Sequence, residues 1–240
     1  MTAAGEDSVR RVAARTWAAL VHHPVYDRSR RVVTTAVTNL DIHDIARSAC
    51  TFGLAGYLVV TPIAAQRELA ERILGHWREE LELLTGGRAA AGEAAPGHAG
   101  AGTSGAGARE DEFRGHALAR VEVVASIEEA VALVARRCQG QEPLVVATSA
   151  RSRPGAIDPR TLLAEAERAP RPLLLLFGTG WGLADQVLDR VHHLLTPIRG
   201  QSDYNHLSVR SAAAIVLDRL FGDRLDGPPE NHLSRELKEP

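Results

Sequence analysis

Apolar residues along the chain alternate between short continuous runs and longer stretches with helical spacing. The short runs predict strands at Trp17–His22, Gly56–Thr61, Val121–Ala125, Leu144–Thr148 and Leu173–Phe177, and one ending at Ile198. The helical spacing predicts helices at Asp41–Phe52, Ala64–Leu84, Pro159–Arg168, Leu183–Arg190 and Leu207–Phe221, and one opened by Ser126. Strands that alternate with helices predict an α/β fold, a mostly parallel sheet with helices on both faces.

A segment rich in glycine and alanine interrupts this pattern from Gly86 to Arg109. Fixing one residue of backbone costs about 1–2 kcal/mol, and these small side chains offer little burial to offset that cost. The sequence therefore predicts one domain over residues 1–240, with a flexible insertion at about 86–112 and a disordered tail from about 224. No specific function is expected for the insertion.

The composition, with 45% hydrophobic and 24% charged residues, is that of an ordinary globular protein. A formal net charge of −2 excludes a globally basic nucleic-acid binder but allows a local basic face. Arg28–Arg31, Arg151–Arg153 and Arg199 are candidate contacts for phosphates, although each is explained slightly better as a solvated surface group.

The cysteines and the hydropathy pattern predict a cytoplasmic protein outside the membrane. Cys50 and Cys138 are far apart and form no C-x-x-C pair, which argues against a disulfide framework. No apolar run approaches the roughly 18 residues of a membrane span. The adjacent pairs His22-His23 and His192-His193 do not share a face, so no metal site is expected.

A glycine-rich turn, Phe177-Gly-Thr-Gly-Trp-Gly-Leu183, follows the continuous run Leu173–Phe177. Such glycines let backbone N–H groups approach a ligand, and loops at the carboxyl ends of parallel strands are where ligands bind. G-x-G-x-G also occurs in Rossmann nucleotide sites, but there an acidic residue ends the next strand, and here Thr196–Arg199 ends it. A purely structural turn explains the motif nearly as well.

A second polar segment runs from Thr196 into the helix that starts near Leu207. Each residue has a structural explanation, for example Ser208 as a helix N-cap. The density of polar side chains beside the glycine turn favours a functional loop nonetheless; its members are Arg199, Gln201, Ser202, Asp203, Asn205, His206 and Arg210.

A third segment, Thr38–Ala49, begins an amphipathic helix, and either Asn39 or Asp41 is expected to cap it. Arg47 lies two turns into this helix among apolar neighbours. The motif alone supports two interpretations of Arg47 equally, a phosphate contact and a stem that covers apolar surface.

These three segments, in this order, resemble the three motifs of the SPOUT superfamily of RNA methyltransferases. The strings AVTNLDIHDIARSA, LFGTGWGL and PIRGQSDYNHLSVRSAAAI are similar to a bacterial family of RNA methyltransferases within it that use S-adenosylmethionine (SAM). The resemblance implies a C-terminal trefoil knot, SAM bound in a bent form within the knot, an RNA substrate, and a homodimer with its active site near the subunit interface.

The resemblance also implies site residues. The implied cofactor pocket consists of Leu176, Gly178, Thr179, Gly180, Pro197, Ile198, Gly200, Leu207 and Ser208, with Leu176, Ile198 and Leu207 against the adenine. The implied catalytic set is Arg47 for a phosphate or the nucleophile and Asp203 or His206 as base, with Asn205 and Arg210 in support.

The sequence departs from the SpoU-type pattern at three places. The implied cofactor-binding residues therefore match that pattern better than the implied catalytic residues do. Asp41 stands where those enzymes carry an asparagine, the glutamate of their second motif is missing, and their S-L-N-V signature reads His206-Leu-Ser-Val209. The sequence therefore predicts a SAM-dependent RNA methyltransferase without fixing the methylated atom or the choice between tRNA and rRNA. Two alternatives stay open: a knotted module that binds SAM or RNA without chemistry, and a Rossmann-like nucleotide-dependent oxidoreductase.

Overall fold

The fold is seen in a computed structural model, which describes residues 3–91, 113–202 and 204–222. Its strands are β1 (Thr16–Val21), β2 (Val25–Tyr26), β3 (Val32–Val33), β4 (Gly56–Val60), β5 (Val121–Val124), β6 (Leu144–Ala147), β7 (Leu173–Gly178) and β8 (His193–Leu194). Its helices are α1 (Ala3–Ala13), α2 (Asn39–Thr51), α3 (Ala64–Ala91), α4 (residues 113–118), α5 (Ile127–Arg137), α6 (Pro159–Arg168), α7 (Asp185–Leu188) and α8 (Val209–Phe221).

Six of these strands form one parallel sheet in the order β5-β4-β1-β7-β6-β8, and β2 pairs with β3 in a separate antiparallel hairpin. Strand β1 lies between β4 and β7, with Leu20 opposite both Val59 and Phe177. The continuous apolar run of β7 is buried because β1 and β6 flank it and helices cover both of its faces. The predicted parallel α/β fold is confirmed.

Successive residues of each central strand belong to two separate apolar cores. In β7, Leu173, Leu175 and Phe177 join the core under α1, α2, α3, α4, α6 and α8, whereas Leu174 and Leu176 join the core under α5 and α7. This alternation follows from the period of two along a strand. It covers the sheet with helices on both faces, as the sequence predicts.

The structure differs from the predicted elements mainly in the first forty residues. Helix α1 was not predicted, and the segment expected to be a long polar loop contains the β2–β3 hairpin. Helix α2 is capped by Thr38, whose hydroxyl accepts from the Asp41 N–H, instead of by Asn39 or Asp41. Because Asp41 lies in the first turn, its carboxylate is free to face another element.

The predicted insertion and tail fall largely outside the described residues. Helix α3 continues past Leu84 to Ala91, so residues 86–91 of the predicted flexible insertion are helical. The remainder of the insertion and the tail from about 224 lie outside the part of the chain that the structure describes. None of the described helices is long and apolar enough to cross a lipid bilayer.

Candidate functional site

A cavity of about 780 Å³ lies at the carboxyl ends of β6 and β7, beside the β2–β3 hairpin. Apolar side chains line part of it: Phe177, Leu183, Leu188, Ile198, Leu207, Val209 and Val216. Polar and charged groups line the rest, among them Thr35, Asp41, Thr148, Ser149, Arg151 and Asn205. Its position is the one expected for a ligand site in a parallel α/β sheet.

The glycine turn after β7 forms one wall of this cavity and is clamped by the hairpin. The backbone of Tyr26 binds it twice, accepting from the Trp181 N–H at 2.9 Å and donating to the Gly182 carbonyl at 2.9 Å. Gly180 has φ +59°, and a Cβ there would lie 2.9 Å from the Tyr26 carbonyl oxygen. This position therefore requires glycine for both its conformation and its close approach to the hairpin.

A chain of three polar side chains supports the same turn from below. His22 Nδ1 lies 3.0 Å from Thr35 Oγ1, which lies 2.5 Å from Thr179 Oγ1, which donates to the Val21 carbonyl at 3.1 Å. Since a hydroxyl has one hydrogen, all three contacts hold together only if Thr35 donates to Thr179 and His22 donates through Nδ1. His22 is therefore the Nδ1–H tautomer.

His22 is fully buried, and its Nε2 atom has no hydrogen-bond partner among the described residues. Burial lowers the pKa of His22 to about 4, against a smaller opposing effect of the Asp41 carboxylate. The imidazole is accordingly neutral near pH 7. It serves as a fixed donor under the glycine turn, not as a charged group.

Asp185 joins the hairpin to the opposite rim of the cavity. Its carboxylate accepts from the Tyr26 hydroxyl at 3.0 Å, from Arg30 at 3.0 Å and from Arg153. These donors hold the pKa of Asp185 below its usual value, Arg153 most strongly and Tyr26 next. One carboxylate thus orders two arginines that line the cavity.

The C-terminal polar loop lies against the loop that follows β6. Asn205 donates from Nδ2 to the Ala150 carbonyl at 2.8 Å, and Arg199 donates to Ser152 Oγ at 2.7 Å. Ser208 caps α8 by accepting from the Ser211 N–H, which confirms the predicted capping role, and it also lines the cavity. These contacts bring the second polar segment next to the glycine turn.

Arg210, in the first turn of α8, binds two carboxylates of α2. It lies 2.8 Å from Asp44 and 3.5 Å from Asp41. Asp41 also accepts from the Thr38 hydroxyl at 2.6 Å, so donors from two elements hold its carboxylate at the cavity edge. Through these contacts Arg210 joins α2 to α8, and this is a structural role.

Most of the sequence-predicted site residues meet in this cavity. The lining includes Gly178, Thr179, Gly180, Ile198, Asn205, His206, Leu207 and Ser208. Four others do not line it: Leu176, Pro197, Gly200 and Arg47. Leu176 is buried on the α5 side of the sheet while Phe177 faces the cavity, and Arg47 is exposed on α2. Asp203 lies outside the described residues.

The sequence analysis named Arg30, Arg151 and Arg153 only as candidate phosphate contacts, and it missed the other cavity residues of the hairpin and of the loop after β6. The loop Thr148–Arg153 directly follows a parallel strand. Because ligands bind at the carboxyl ends of parallel strands, this position could have identified the loop as part of the site. Tyr26, Thr35 and Asp185 carry no such signal, because their roles depend on contacts across about 145–160 residues of chain.

Two solved structures share this fold. A protein of Bordetella pertussis described as a probable methyltransferase aligns over 89% of this chain and 96% of its own, with a TM-score of 0.53 and 16% identity. TrmJ from Z. mobilis aligns over 89% of this chain and 71% of its own, with a TM-score of 0.51 and 16% identity. At this identity the likeness shows the fold alone.

The chain belongs to a family described as SAM-dependent RNA methyltransferase, whose model matches residues 15–91 and 98–222. A tRNA (guanine-N(1)-)-methyltransferase of Oleidesulfovibrio alaskensis is 44% identical over 87% of this chain, and one of Nitratidesulfovibrio vulgaris is 42% identical over 90%. The alignments cover 42% and 44% of those two proteins, so the chain spans less than half of their length. An uncharacterized protein of Aquifex aeolicus is 32% identical over 85% of this chain and 86% of its own.

The family model confirms the predicted membership of a family of SAM-dependent RNA methyltransferases. It lends no support to the nucleotide-dependent oxidoreductase alternative. The cavity also suits SAM, because its volume is within the roughly 300–1,000 Å³ of small-molecule sites. Its apolar walls suit an adenine, and its hydroxyl and backbone groups suit a ribose.

Proposed function

We propose that this chain transfers a methyl group from SAM to tRNA, with the cavity beside the glycine turn as the cofactor site. One observation carries the proposal: the turn, clamped by Tyr26, and the polar loop with Asn205 and His206 line the same cavity. An RNA group that enters this cavity is thereby placed beside the cofactor. Such positioning is the main requirement of a displacement reaction.

The cofactor contributes an electrophilic methyl group on a positively charged sulfur when it is bound. The residues proposed to hold it are the lining members of the predicted set, Gly178, Thr179, Gly180, Ile198, Leu207 and Ser208. The remaining predicted members, Leu176, Pro197 and Gly200, do not line the cavity, so we propose that they shape the adjoining strand and loop.

The acceptor atom of the RNA must lose a proton as the methyl group arrives. We propose His206 as the group that takes this proton, because its ring lines the cavity and a neutral imidazole can accept a proton there. Asn205, held by Ala150, would orient the acceptor. Asp203 stays the alternative base. His206→Ala should lower the single-turnover rate with SAM binding intact. If Asp203→Ala lowers this rate and His206→Ala does not, Asp203 is the base.

We propose that Arg47 acts in the site of a partner subunit within a homodimer. Its exposure on α2, away from its own cavity, supports a role outside its own subunit. Mixing Arg47→Ala with Gly180→Ala tests this idea, at a SAM concentration at which neither variant alone labels much RNA. Random pairing of subunits should restore about a quarter of the activity, since half the dimers are mixed and each mixed dimer has one intact site. No recovery would place Arg47 in its own subunit's site, and an Arg47→Ala homodimer with full activity would place it outside catalysis.

We propose that residues 196–202 and 204–208 belong to a trefoil knot that precedes α8. The contacts Asn205–Ala150 and Arg199–Ser152, which press this loop against the loop after β6, support the proposal. Pulling the chain from both ends would tighten a knot. The extended length should then fall short of the roughly 3.3–3.6 Å per residue of a free chain. A fully extended length would contradict the knot.

Mass spectrometry of nucleosides tests the proposed substrate. The two relatives named as tRNA methyltransferases suggest tRNA, although each is more than twice as long as the matched segment. Purified chain, SAM and tRNA from a strain lacking the gene should yield one new methylated nucleoside. Methylation of rRNA but not tRNA would overturn the substrate while keeping the enzyme class. We place this reaction in the cytoplasm.

A further inference from the structure

Three aromatic rings lie together at the rim of the cavity. The His206 ring is 6.4 Å from the Trp181 ring and 5.4 Å from the Tyr204 ring, centroid to centroid, and both pairs meet edge to face. Trp181 comes from the glycine turn and the other two from the C-terminal polar loop. The edge-to-face arrangement leaves ring surface uncovered, and Trp181 is 51% exposed and Tyr204 73% exposed.

Burial in an apolar core does not explain why Trp181 and Tyr204 occupy these positions. Aromatic residues make up only 4% of the chain, and Trp17 and Tyr57 are buried in its cores. Two large aromatic side chains, one on each side of His206, are instead kept exposed to solvent. Contiguous exposed apolar surface of this kind marks a binding site.

The backbone holds the Trp181 ring outward before any partner arrives. The Trp181 N–H donates to Tyr26, and the flanking glycines have φ +59° and +96°, so the turn is fixed on both sides of the indole. A ring presented by a fixed turn loses little conformational entropy on binding, which favours a recognition role.

The charges beside the rings favour an anionic partner. Arg151 lines the cavity, and neither Arg151 nor Arg199 has a carboxylate partner in the described ranges 3–91, 113–202 and 204–222. Arg199 donates to the uncharged Ser152 hydroxyl. Exposed aromatic faces at a cavity that Arg151 also lines, with Arg199 bound to the same loop as Arg151, match the bases and phosphates of single-stranded RNA.

We propose that Trp181, His206 and Tyr204 form a stacking platform for an unpaired base of the substrate RNA, next to the methylated nucleotide. Arg151 and Arg199 hold the phosphates on either side. This inference rests on the proposed function and adds how the substrate is gripped: the target must lie in an unpaired stretch.

Tyr204 provides the cleanest test, because its ring belongs to the platform but does not line the cavity. Binding of the full chain to an unstructured RNA oligonucleotide and to a matched RNA duplex is measured at one fixed salt concentration. A base–aromatic stack contributes about 1–3 kcal/mol, which corresponds to about 5-fold to 150-fold in the dissociation constant. Tyr204→Ala should lose affinity for the single strand in this range and much less for the duplex.

Two further variants serve as controls. Tyr204→Phe keeps the ring and should bind RNA like the wild type. Phe113→Ala removes an exposed aromatic ring, 67% exposed, that lies outside the cavity lining, and it should also bind like the wild type. The SAM dissociation constant of Tyr204→Ala is measured by calorimetry. It should stay within about twofold of the wild-type value, a change of roughly 0.4 kcal/mol, because the Tyr204 ring does not line the cavity.

The outcomes separate the platform from the proposed function. If the wild type binds and methylates RNA while Tyr204→Ala and Tyr204→Phe bind single strands equally, the platform is wrong and the function stands. A dimer that becomes monomeric in Tyr204→Ala would assign the surface to contact between two copies and overturn the platform. Wild-type chain that binds SAM but neither RNA probe would overturn both.

Discussion

The hydroxyl oxygens of Thr35 and Thr179 lie 2.5 Å apart, although 144 residues separate them in the chain. Thr35 follows the β2–β3 hairpin and Thr179 belongs to the glycine turn after β7. This hydrogen bond, with His22 behind it, fixes the turn relative to β1. The shape of the proposed cofactor site thus depends on a segment with no recognisable motif.

Thr35→Val should weaken SAM binding by about 2-fold to 12-fold, since a hydrogen bond of this kind contributes about 0.5–1.5 kcal/mol. The methyl group that replaces the hydroxyl keeps the volume but leaves His22 Nδ1 without an acceptor. Calorimetric titration with SAM measures the change. Thr34→Val is the matched control, because the Thr34 hydroxyl contacts His23 instead of the chain beneath the turn. Equal SAM affinities for both variants would show that this bond does not shape the site.

Gly180→Ala should lower SAM affinity on the order of tenfold, because its Cβ would lie 2.9 Å from the Tyr26 carbonyl and displace the turn. Gly155→Ala is its control. Gly155 also has a positive φ, +77°, but a Cβ there meets nothing within 4 Å. Both variants incur the roughly 1–2 kcal/mol conformational cost of a left-handed alanine. Only Gly180→Ala should affect SAM binding, and a similar loss in Gly155→Ala would reduce the effect to general destabilisation.

The neutral, buried His22 predicts a stability that falls in mild acid. Its pKa is lowered from 6.5 to about 4, so the unfolded chain binds this proton at a higher pH than the folded chain does. The stabilisation that neutral His22 provides is complete at a pH above its pKa in the unfolded chain. It is lost as the pH falls towards its pKa in the folded chain. Between about pH 7 and about pH 5, the wild type should lose roughly 2 kcal/mol more unfolding free energy than His22→Asn.

Urea unfolding at the two pH values measures this difference. The asparagine amide can still donate to Thr35 but does not titrate, which isolates the proton. A His22→Asn curve parallel to the wild type would show that His22 is not the responsible group.

Arg210→Met should reduce the unfolding free energy by about 1 kcal/mol, since the ion pairs with Asp44 and Asp41 are only partly buried. Methionine retains much of the apolar stem, so the change reports on charge. The loss should shrink at high salt, which screens such pairs. Arg137→Met breaks the more exposed pair with Glu122 and should cost less. An equal cost in both variants would contradict the role of Arg210 in joining α2 to α8.

The sequence predicted the sheet well because its strands are buried on both faces and leave a continuous apolar signal, as in Leu173–Phe177. It predicted the glycine turn and the polar loop because both follow strands directly. It could not predict that Phe177 and not Leu176 faces the cavity, since a run of five apolar residues has no alternation to reveal its two faces. The hairpin with Tyr26 and Thr35 was missed for a different reason: two-residue strands form no readable period.

Transfer of tritium from methyl-labelled SAM into RNA tests the central claim most directly. Wild-type chain, incubated with RNA from a strain lacking the gene, should place label in the RNA. Gly180→Ala should label it far more slowly at the same SAM concentration, and RNA from a strain that carries the gene should accept little label. A wild-type chain that binds SAM in calorimetry yet leaves both RNA preparations unlabelled would contradict catalysis and favour a binding module.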